Sequence, residues 1–154
     1  MADLTIRPAR RADLPSIIAL LAADDLGRGR ERPAEPLDPR YEAAFAAIEA
    51  DPNHSQVVVE RDGQLIGCLQ LSFIPGVSRF GGWRGQIEGV RVAADQRNAG
   101  VGRTMIVWAV DQCRARGCDL VQLTTDARRV DAQRFYGSLG FVASHVGMKL
   151  TLET

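Results

Sequence analysis

Residues 86–117, QIEGVRVAADQRNAGVGRTMIVWAVDQCRARG, predict a strand, a glycine-containing turn and a helix in direct succession. Residues 87–92 are rich in β-branched side chains, which favour a strand. Gly100 and Gly102 lie in the turn that follows. Behind the turn, apolar residues recur at helical spacing as far as Gly117, a suitable helix stop. They are Val101, Met105, Trp108, Ala109 and Cys113.

A strand that turns through glycines into a helix has the geometry of a phosphate-binding turn. The first N–H groups of a helix have no internal partner, and the helix dipole favours an anion beside them. Gly100 and Gly102 lack the Cβ atoms that would keep a pyrophosphate off the backbone. Arg97 and Arg103 add donors that suit phosphate oxygens. An ordinary β–α connection also fits, because a lone Gly-x-Gly is a weak motif.

Two motifs taken together resemble the signatures of the GNAT superfamily of N-acetyltransferases. The first, RNAGVG at residues 97–102, matches the R-x-x-G-x-G acyl-CoA signature between a strand and a helix. The second, DAQRFYGSLGF at residues 131–141, matches the Ala-x-x-Phe-Tyr helix that ends in Gly-Phe. The resemblance implies acetyl-CoA as cosubstrate. It also implies an α/β three-layer sandwich with a mixed, mostly antiparallel central sheet, splayed at the acyl-CoA site.

The resemblance places the acyl-CoA contacts in these motifs and in the strand before the first of them. The strand backbone is expected to pair with the pantetheine amides, and one of its N–H groups to polarise the thioester carbonyl. Arg129 stands where the family often has an asparagine, and it can meet a phosphate instead. The full set is Val90, Arg91, Val92, Arg97, Asn98, Ala99, Gly100, Val101, Gly102, Arg103, Thr104, Arg129, Ala132 and Phe135.

Glu88 is the candidate general base. Strict alternation puts its side chain on the same side of the strand as Val90 and Val92, and the neighbouring Gly89 suggests a β-bulge. In the family, an acid near this position often relays the proton of the amine through water, and Glu88 is the local match. The alternative is a glutamate at a strand end that simply faces solvent.

Tyr136 is the candidate general acid. A phenol has an ordinary pKa of about 10, so it is protonated at neutral pH and can donate to a leaving thiolate. Tyr136 occupies the position of the family's catalytic tyrosine near the sulfur of CoA. Without that resemblance, adjacent Phe and Tyr residues in a helix suggest one core ring and one surface ring.

The rest of the chain predicts the other elements of a single domain covering residues 1–154. Asp13 is expected to cap a first helix, and a second helix is predicted at residues 39–50. The Asp-Gly pair at residues 62–63 predicts a β-hairpin. Beyond the central helix we expect a strand at residues 120–125, a helix at 130–139, and one or two strands at 141–152. The charged segment 24–36 is longer than most connections and is expected to be a mobile lid over the acceptor.

Composition and charge narrow the classes of function. Nineteen basic and nineteen acidic residues cancel, which leaves no compositional sign of nucleic-acid or anionic-membrane binding. There is no apolar leader or membrane-length apolar run. Three cysteines without a CxxC pair indicate reduced thiols in a cytoplasmic protein. His54 and His145 are isolated, so no metal site is expected. The protein is expected to form a homodimer.

These features predict an N-acetyltransferase that moves an acetyl group from acetyl-CoA to a primary amine of a small molecule, by direct attack in a ternary complex. RRVDAQRFYGSLGFVASH, at residues 128–145, is similar to aminoalkylphosphonate acetyltransferases in particular. Alternatives are acetylation of protein lysines or N-terminal amines, and a non-catalytic acyl-CoA sensor. A nucleotide-binding module lacks its motifs. The charge of the acceptor stays open: Arg28, Arg30, Arg79 and Arg84 suit an anion, whereas Asp24, Asp25 and Glu31 suit a cation.

Overall fold

The computed structural model describes residues 3–153. Its strands form one sheet in the order β1-β2-β3-β4-β5, antiparallel throughout except for the parallel pair β4 and β5. This mixed, mostly antiparallel sheet confirms the predicted fold class. In chain order the elements are β1 (Leu4–Pro8), α1 (Leu14–Ala22), α2 (Asp25–Arg28), α3 (Pro39–Ala50), β2 (His54–Arg61), β3 (Gln64–Pro75), the single turn α4 (Ser78–Gly81), β4 (Trp83–Val92), α5 (Val101–Ala115), β5 (Cys118–Leu123) and α6 (Val130–Ser138).

The sheet is the middle layer of three, because its two faces enter separate apolar clusters. Val57 and Val59 of β2 belong to the cluster that includes Met105 of α5. Val58, between them, belongs to the cluster of α1 and α3, with Phe45. This is the alternation that a strand covered on both sides requires. Each fully buried side chain of this size stabilises the fold by about 1.5–3 kcal/mol.

Local patterns predicted several elements correctly. The helix at residues 39–50 is α3, and the carboxylate of Asp38 accepts a hydrogen bond from the N–H of Arg40 at its start. Asp62 and Gly63 both have positive φ, 52° and 75°, which is the twist that a two-residue hairpin needs. Asp13 stands at the predicted N-cap position of α1, but its side chain makes no capping hydrogen bond to that helix. Its carboxylate accepts from the N–H of Arg10 and binds the guanidinium of Arg7 at 2.8 and 3.1 Å.

The sheet splays between β4 and β5. Their pairing begins at Trp83 opposite Cys118 and ends at Ile87 opposite Leu123. From residue 88 onward β4 continues beside β3 only, so this half of β4 has an open edge within residues 3–153. The predicted splay is therefore confirmed as an opening between two parallel strands.

A bulge at Gly89 reverses the alternation of β4. Cys68 pairs with Arg91 and Gln70 pairs with Glu88, so β4 contains one more residue than β3 between these two pairs. Gly89 absorbs the extra residue at φ 60°, as its glycine suggested. Val90 and Val92 consequently pack against the same cluster as Ile87. The prediction that Glu88 shares their side was wrong, because it assumed an unbroken period of two.

The predicted strands at residues 141–152 do not form. After Gly140, whose φ is 96°, the described chain has neither helix nor strand. A strand needs the backbone of a neighbour, and this segment has none among the described residues. Elsewhere, no helix in residues 3–153 combines the length and apolar character needed to cross a membrane.

Candidate functional site

The end of β4, the start of α5 and the middle of α6 meet at one place. A Cβ atom at Gly102 would lie 3.4 Å from Cζ of Phe135 and 3.8 Å from Cγ2 of Val92. Gly102 therefore lets α5 approach both neighbours closely, a role in packing that the sequence did not reveal. Tyr136 follows Phe135, and their ring centroids are 5.2 Å apart. The fold thus brings the two sequence motifs together beside the open edge of β4.

The glycine turn exposes the N-terminal end of α5. Asn98 and Gly100 have φ of 62° and 79°, and α5 begins directly after Gly100. A Cβ atom at Gly100 would meet nothing within 4 Å, so the space above the turn is open. The first N–H groups of the helix lack intrahelical acceptors, which makes this end suitable for an anion. The exposed predicted residues here are Arg97, Asn98, Ala99, Gly100, Arg103 and Thr104, whereas the side chain of Val101 is buried in the core.

Two arginines cover carbonyl groups on the open half of β4. Nη1 of Arg91 donates to the carbonyl oxygen of Val90 at 2.8 Å, and Nε of Arg97 donates to that of Val92 at 3.3 Å. A carbonyl oxygen has two lone pairs, so an extended ligand can still pair with this edge.

Glu88 is exposed at the splay. In the described part of the chain its carboxylate makes no hydrogen bond or ion pair, and Glu88 lies opposite Gln70 of β3. The next residue, Gly89, lies near Leu21 of α1, because a Cβ atom there would be 3.7 Å from Cδ2 of Leu21. The structure thus places Glu88 at the splay but forms no direct contact between it and Tyr136.

Tyr136 combines a half-buried ring with a reachable hydroxyl group. Its ring packs edge-on against Phe141, with centroids 5.9 Å apart, as well as against Phe135. Among the described residues the hydroxyl has no hydrogen-bond partner. It is also absent from the buried polar side-chain atoms that lack a partner, so it is accessible to solvent. Burial raises the pKa of Tyr136, and the nearby charges of Arg91 and Arg129 offset this only in part. The phenol is therefore protonated at neutral pH.

An ion cluster beside Tyr136 was missed by the sequence reasoning. The carboxylate of Asp24 lies 2.5 Å from Nη2 of Arg129 and 3.6 Å from Nε of Arg91, and it accepts from the N–H of Gly27. Burial favours the protonated acid, but this hydrogen bond and the two arginines together hold the pKa of Asp24 below its ordinary value. Asp24, Arg91 and Arg129 lie far apart in the sequence, so no local pattern predicts that they form a cluster.

The cluster changes the expectations for two predicted residues. Arg129 is already paired with Asp24, so contact with a phosphate would have to compete with that ion pair. Nε of Arg91 is buried without a hydrogen-bond partner in residues 3–153. A buried donor without a hydrogen-bond partner is costly, and the carboxylate of Asp24, 3.6 Å away, offsets that cost through its charge. Ala132 lies half-buried in the first turn of α6.

The segment predicted to be a lid is tied to this cluster. Asp24 begins α2, and further along, the N–H of Arg32 donates to the hydroxyl of Tyr41 at 2.8 Å. That hydroxyl donates in turn to the carboxylate of Glu31. The segment therefore lies beside the candidate site, and its mobility stays a prediction. No group of three or more metal-ligating side chains occurs among the residues described.

Proteins similar to this chain include two N-acetyltransferases and a structure described as a transcriptional regulator. Residues 18–141 match the sequence profile described as "Acetyltransferase (GNAT) family". The chain is 30% identical over 105 residues to the aminoalkylphosphonate N-acetyltransferase of Salmonella typhimurium, covering 68% of each protein. It is also 30% identical over 156 residues to the glucosamine 6-phosphate N-acetyltransferase of Trypanosoma brucei brucei, covering 97% of each. A crystal structure described as a transcriptional regulator from Bacillus halodurans C-125 superposes with a TM-score of 0.95 at 43% identity, covering 97% of this chain and 100% of that one.

Proposed function

Since the chain belongs to the GNAT family of acetyltransferases, we propose that it transfers an acetyl group from acetyl-CoA to a primary amine of a small molecule. The observation that carries the proposal is the junction of an open strand edge, an exposed helix N-terminus and a reachable tyrosine hydroxyl. These are the groups that a thioester with a pantetheine arm and a pyrophosphate requires.

Each part of acetyl-CoA has a matching part of the junction. The pyrophosphate would bind at the turn of residues 97–104, where backbone N–H groups and Arg97 and Arg103 supply donors. The pantetheine arm would run along the open half of β4 as a peptide-like sheet neighbour. This arrangement brings the thioester towards Tyr136, because Phe135 joins α6 to the start of α5.

The proposed reaction is one direct displacement. The neutral amine nitrogen attacks the thioester carbonyl carbon, so a C–N bond forms and the C–S bond breaks. Glu88, through water, accepts the proton that the amine loses, and the hydroxyl of Tyr136 gives a proton to the departing thiolate. A free ammonium has a pKa of about 10.4, so near neutral pH the base is needed.

Direct attack should leave no acetyl group on the enzyme. Burial raises the pKa of Cys68 to about 12 and that of Cys113 to about 11, and it also raises the pKa of Cys118. None of the three is therefore a thiolate nucleophile at neutral pH. We expect intact-mass spectrometry after incubation with acetyl-CoA alone to show an unmodified chain. Stoichiometric acetylation of any cysteine would mean a two-step mechanism. Reduced thiols also suit the predicted cytoplasmic location.

The acceptor we favour carries an anionic group. Both curated relatives described above are named for acceptors with a phosphonate or a phosphate. In this chain Arg91 and Arg129 lie beside Tyr136, and Asp24 neutralises only one of the two charges. The pKa of Arg91 is lowered chiefly by its burial. The positive charge of Arg30 contributes to that lowering, which shows that Arg30 adds to the positive field at Arg91.

A screen of amines tests this function, with release of free CoA from acetyl-CoA as the readout. Paired acceptors decide the question of charge: an aminoalkylphosphonate against a neutral amino alcohol, and an amino sugar phosphate against the free amino sugar. We expect faster release with the anionic member of each pair. A lysine peptide tests protein acetylation. Tight binding of acetyl-CoA without turnover on any amine would instead indicate a sensor.

Charge reversal at Arg103 separates acetyl-CoA binding from folding. An acid in the first turn of α5 suits the helix dipole, so Arg103→Glu should fold normally. It should weaken acetyl-CoA binding about 10- to 100-fold, because a hydrogen bond to a charged group contributes about 1.5–3 kcal/mol. Calorimetric titration and thermal melting measure the two effects.

The matched control is Arg114→Glu, at the other end of the same helix. Arg114 pairs with Asp111 at 2.7 Å, and an acid there opposes the dipole. This variant should therefore lose thermal stability and keep its affinity for acetyl-CoA. Equal affinities in both variants would place the phosphates elsewhere.

A further inference from the structure

Asp24 lies at the centre of the ion cluster beside Tyr136, and each of its carboxylate oxygens has its own partners. Oδ1 accepts a hydrogen bond from the N–H of Gly27 at 2.6 Å, which caps α2. Oδ2 lies 2.5 Å from Nη2 of Arg129 and 3.6 Å from Nε of Arg91. One negative charge therefore faces two positive charges that come from different elements of the fold.

The position of Asp24 is set by the tight packing of α2 against the end of α1. Any side chain at Gly27 would overlap the carbonyl oxygen of Leu21, and its Cβ atom would lie 2.9 Å from Oδ1 of Asp24. Only glycine fits this turn. The N–H groups of Arg30 and Glu31 both donate to the carbonyl oxygen of Gly27, so the turn is hydrogen-bonded on its other side as well. The carboxylate thus reaches the two arginines from an ordered turn.

An anionic ligand would reach this cluster at Arg129. The side chain of Arg129 is 27% exposed, whereas that of Arg91 is 14% exposed and its Nε is sealed from solvent. The carboxylate of Asp24 already binds the guanidinium of Arg129. A second anion there is repelled by that carboxylate, and the repulsion is strong because water screens partly buried charges poorly. Any anion that binds Arg129 must therefore compete with Asp24.

We propose that Asp24 is a specificity-determining residue of this site, because its carboxylate compensates the charge of the two arginines and thereby limits the affinity for an anionic acceptor. The inference rests on the proposed acetyl transfer and deepens it. A neutral acceptor does not compete for Arg129, so the same carboxylate affects it little. Asp24 consequently acts on the discrimination between acceptors rather than on the rate of transfer in general.

The same compensation reaches Tyr136. Burial raises the pKa of this phenol, and the positive charges of Arg91 on β4 and Arg129 before α6 act in the opposite direction. Asp24, at the start of α2, is paired with both arginines and weakens their effect. Removing its charge should therefore lower the pKa of Tyr136. A side chain that only held α2 in place would have no such influence on the phenol.

Asp24→Asn tests the proposal, because asparagine is as good an N-cap as aspartate and carries no charge. The ratio of kcat/KM for an aminoalkylphosphonate to that for the neutral amino alcohol should rise about 10-fold, through a lower KM for the phosphonate. Asp25→Asn is the matched control: the side chain of Asp25 is 94% exposed and lies 3.6 Å from Arg28, so the ratio should stay unchanged. An unchanged or lower ratio in Asp24→Asn would overturn the proposal.

A double-mutant cycle shows whether Asp24 acts through Arg129. In an Arg129→Gln background, Asp24→Asn should change the ratio much less than in the wild type. The full effect in that background would reject the proposed competition. Thermal melting checks that each variant is folded. Asp24→Ser, which also caps a helix well, repeats the test with a smaller neutral side chain if asparagine disturbs the fold.

A titration of the phenols gives a result on Asp24 whether or not any amine is acetylated, so it separates this inference from the proposed function. The sequence has two tyrosines, Tyr41 and Tyr136, and NMR of protein labelled with ¹³C at the tyrosine Cζ atom follows each of them. Asp24→Asn should lower the titration midpoint of Tyr136 and leave that of Tyr41 in place. Asp25→Asn should move neither. A Tyr136 midpoint that stays at the wild-type value in Asp24→Asn would reject the compensation.

Discussion

Replacing Tyr136 with phenylalanine is expected to lower kcat by about 10²- to 10⁴-fold, the range of a lost general acid. The ring contacts with Phe135 and Phe141 remain in the variant. The hydroxyl has no hydrogen-bond partner among the described residues, so its removal breaks no bond within the described chain. Stability and acetyl-CoA affinity should therefore change little, and the loss should fall on the chemical step.

Steady-state kinetics with one accepted amine, thermal melting and calorimetric titration test this separation. Tyr41, the other tyrosine, provides the matched control, because its hydroxyl bonds both the N–H of Arg32 and the carboxylate of Glu31. Tyr41→Phe should lower stability and leave kcat near the wild-type value. If Tyr136→Phe keeps its kcat, the thiolate takes its proton from solvent.

The pH dependence of kcat in the wild type should reflect the raised pKa of Tyr136. Because burial raises the pKa of Tyr136, its proton-donating form persists above pH 10, where an ordinary phenol is half ionised. The contribution of the acid is therefore kept on the alkaline side and lost only above that value. Rate profiles for kcat in the wild type and Tyr136→Phe should stay separated up to about pH 10.

Elements that depend on neighbouring residues were predictable from the sequence. The helix Pro39–Ala50, the Asp62-Gly63 hairpin and the strand, turn and helix around Gly100 follow from periodicity, capping and turn chemistry. Gly89 also correctly predicted the bulge in β4. What the bulge does to the strand was not predictable, because one added residue moves every later side chain to the other face.

Features that depend on distant residues escaped prediction for a physical reason. Asp24 meets Arg91 and Arg129 only because the start of α2, β4 and the start of α6 converge in space. Asp13 stands at the capping position, but its carboxylate binds the guanidinium of Arg7 on β1 and the N–H of Arg10, and it makes no bond to the helix that follows. The alternation of residues 142–152 was visible, but periodicity does not say whether a neighbouring strand exists in the same chain.

Replacing Glu88 with glutamine should lower kcat/KM for the acceptor by about 10²- to 10⁴-fold near neutral pH. The change keeps the shape of the side chain and removes its basicity. Glu88 is exposed and makes no ion pair in the described part of the chain, so the fold loses nothing. Glu49→Gln, on the exposed surface of α3, removes an equal charge away from the splay and should leave the rate unchanged.

The loss in Glu88→Gln should shrink as the pH rises towards the acceptor's own pKa of about 10.4, because more of the amine is then neutral before it binds. Tyr136→Phe should show no such rescue, since the leaving thiolate still lacks its donor. The two profiles thus assign opposite proton movements to the two residues. A variant at Glu88 with the wild-type profile would remove this carboxylate from the mechanism. The amine's proton would then pass to solvent, along the path that the open edge of β4 leaves at the splay.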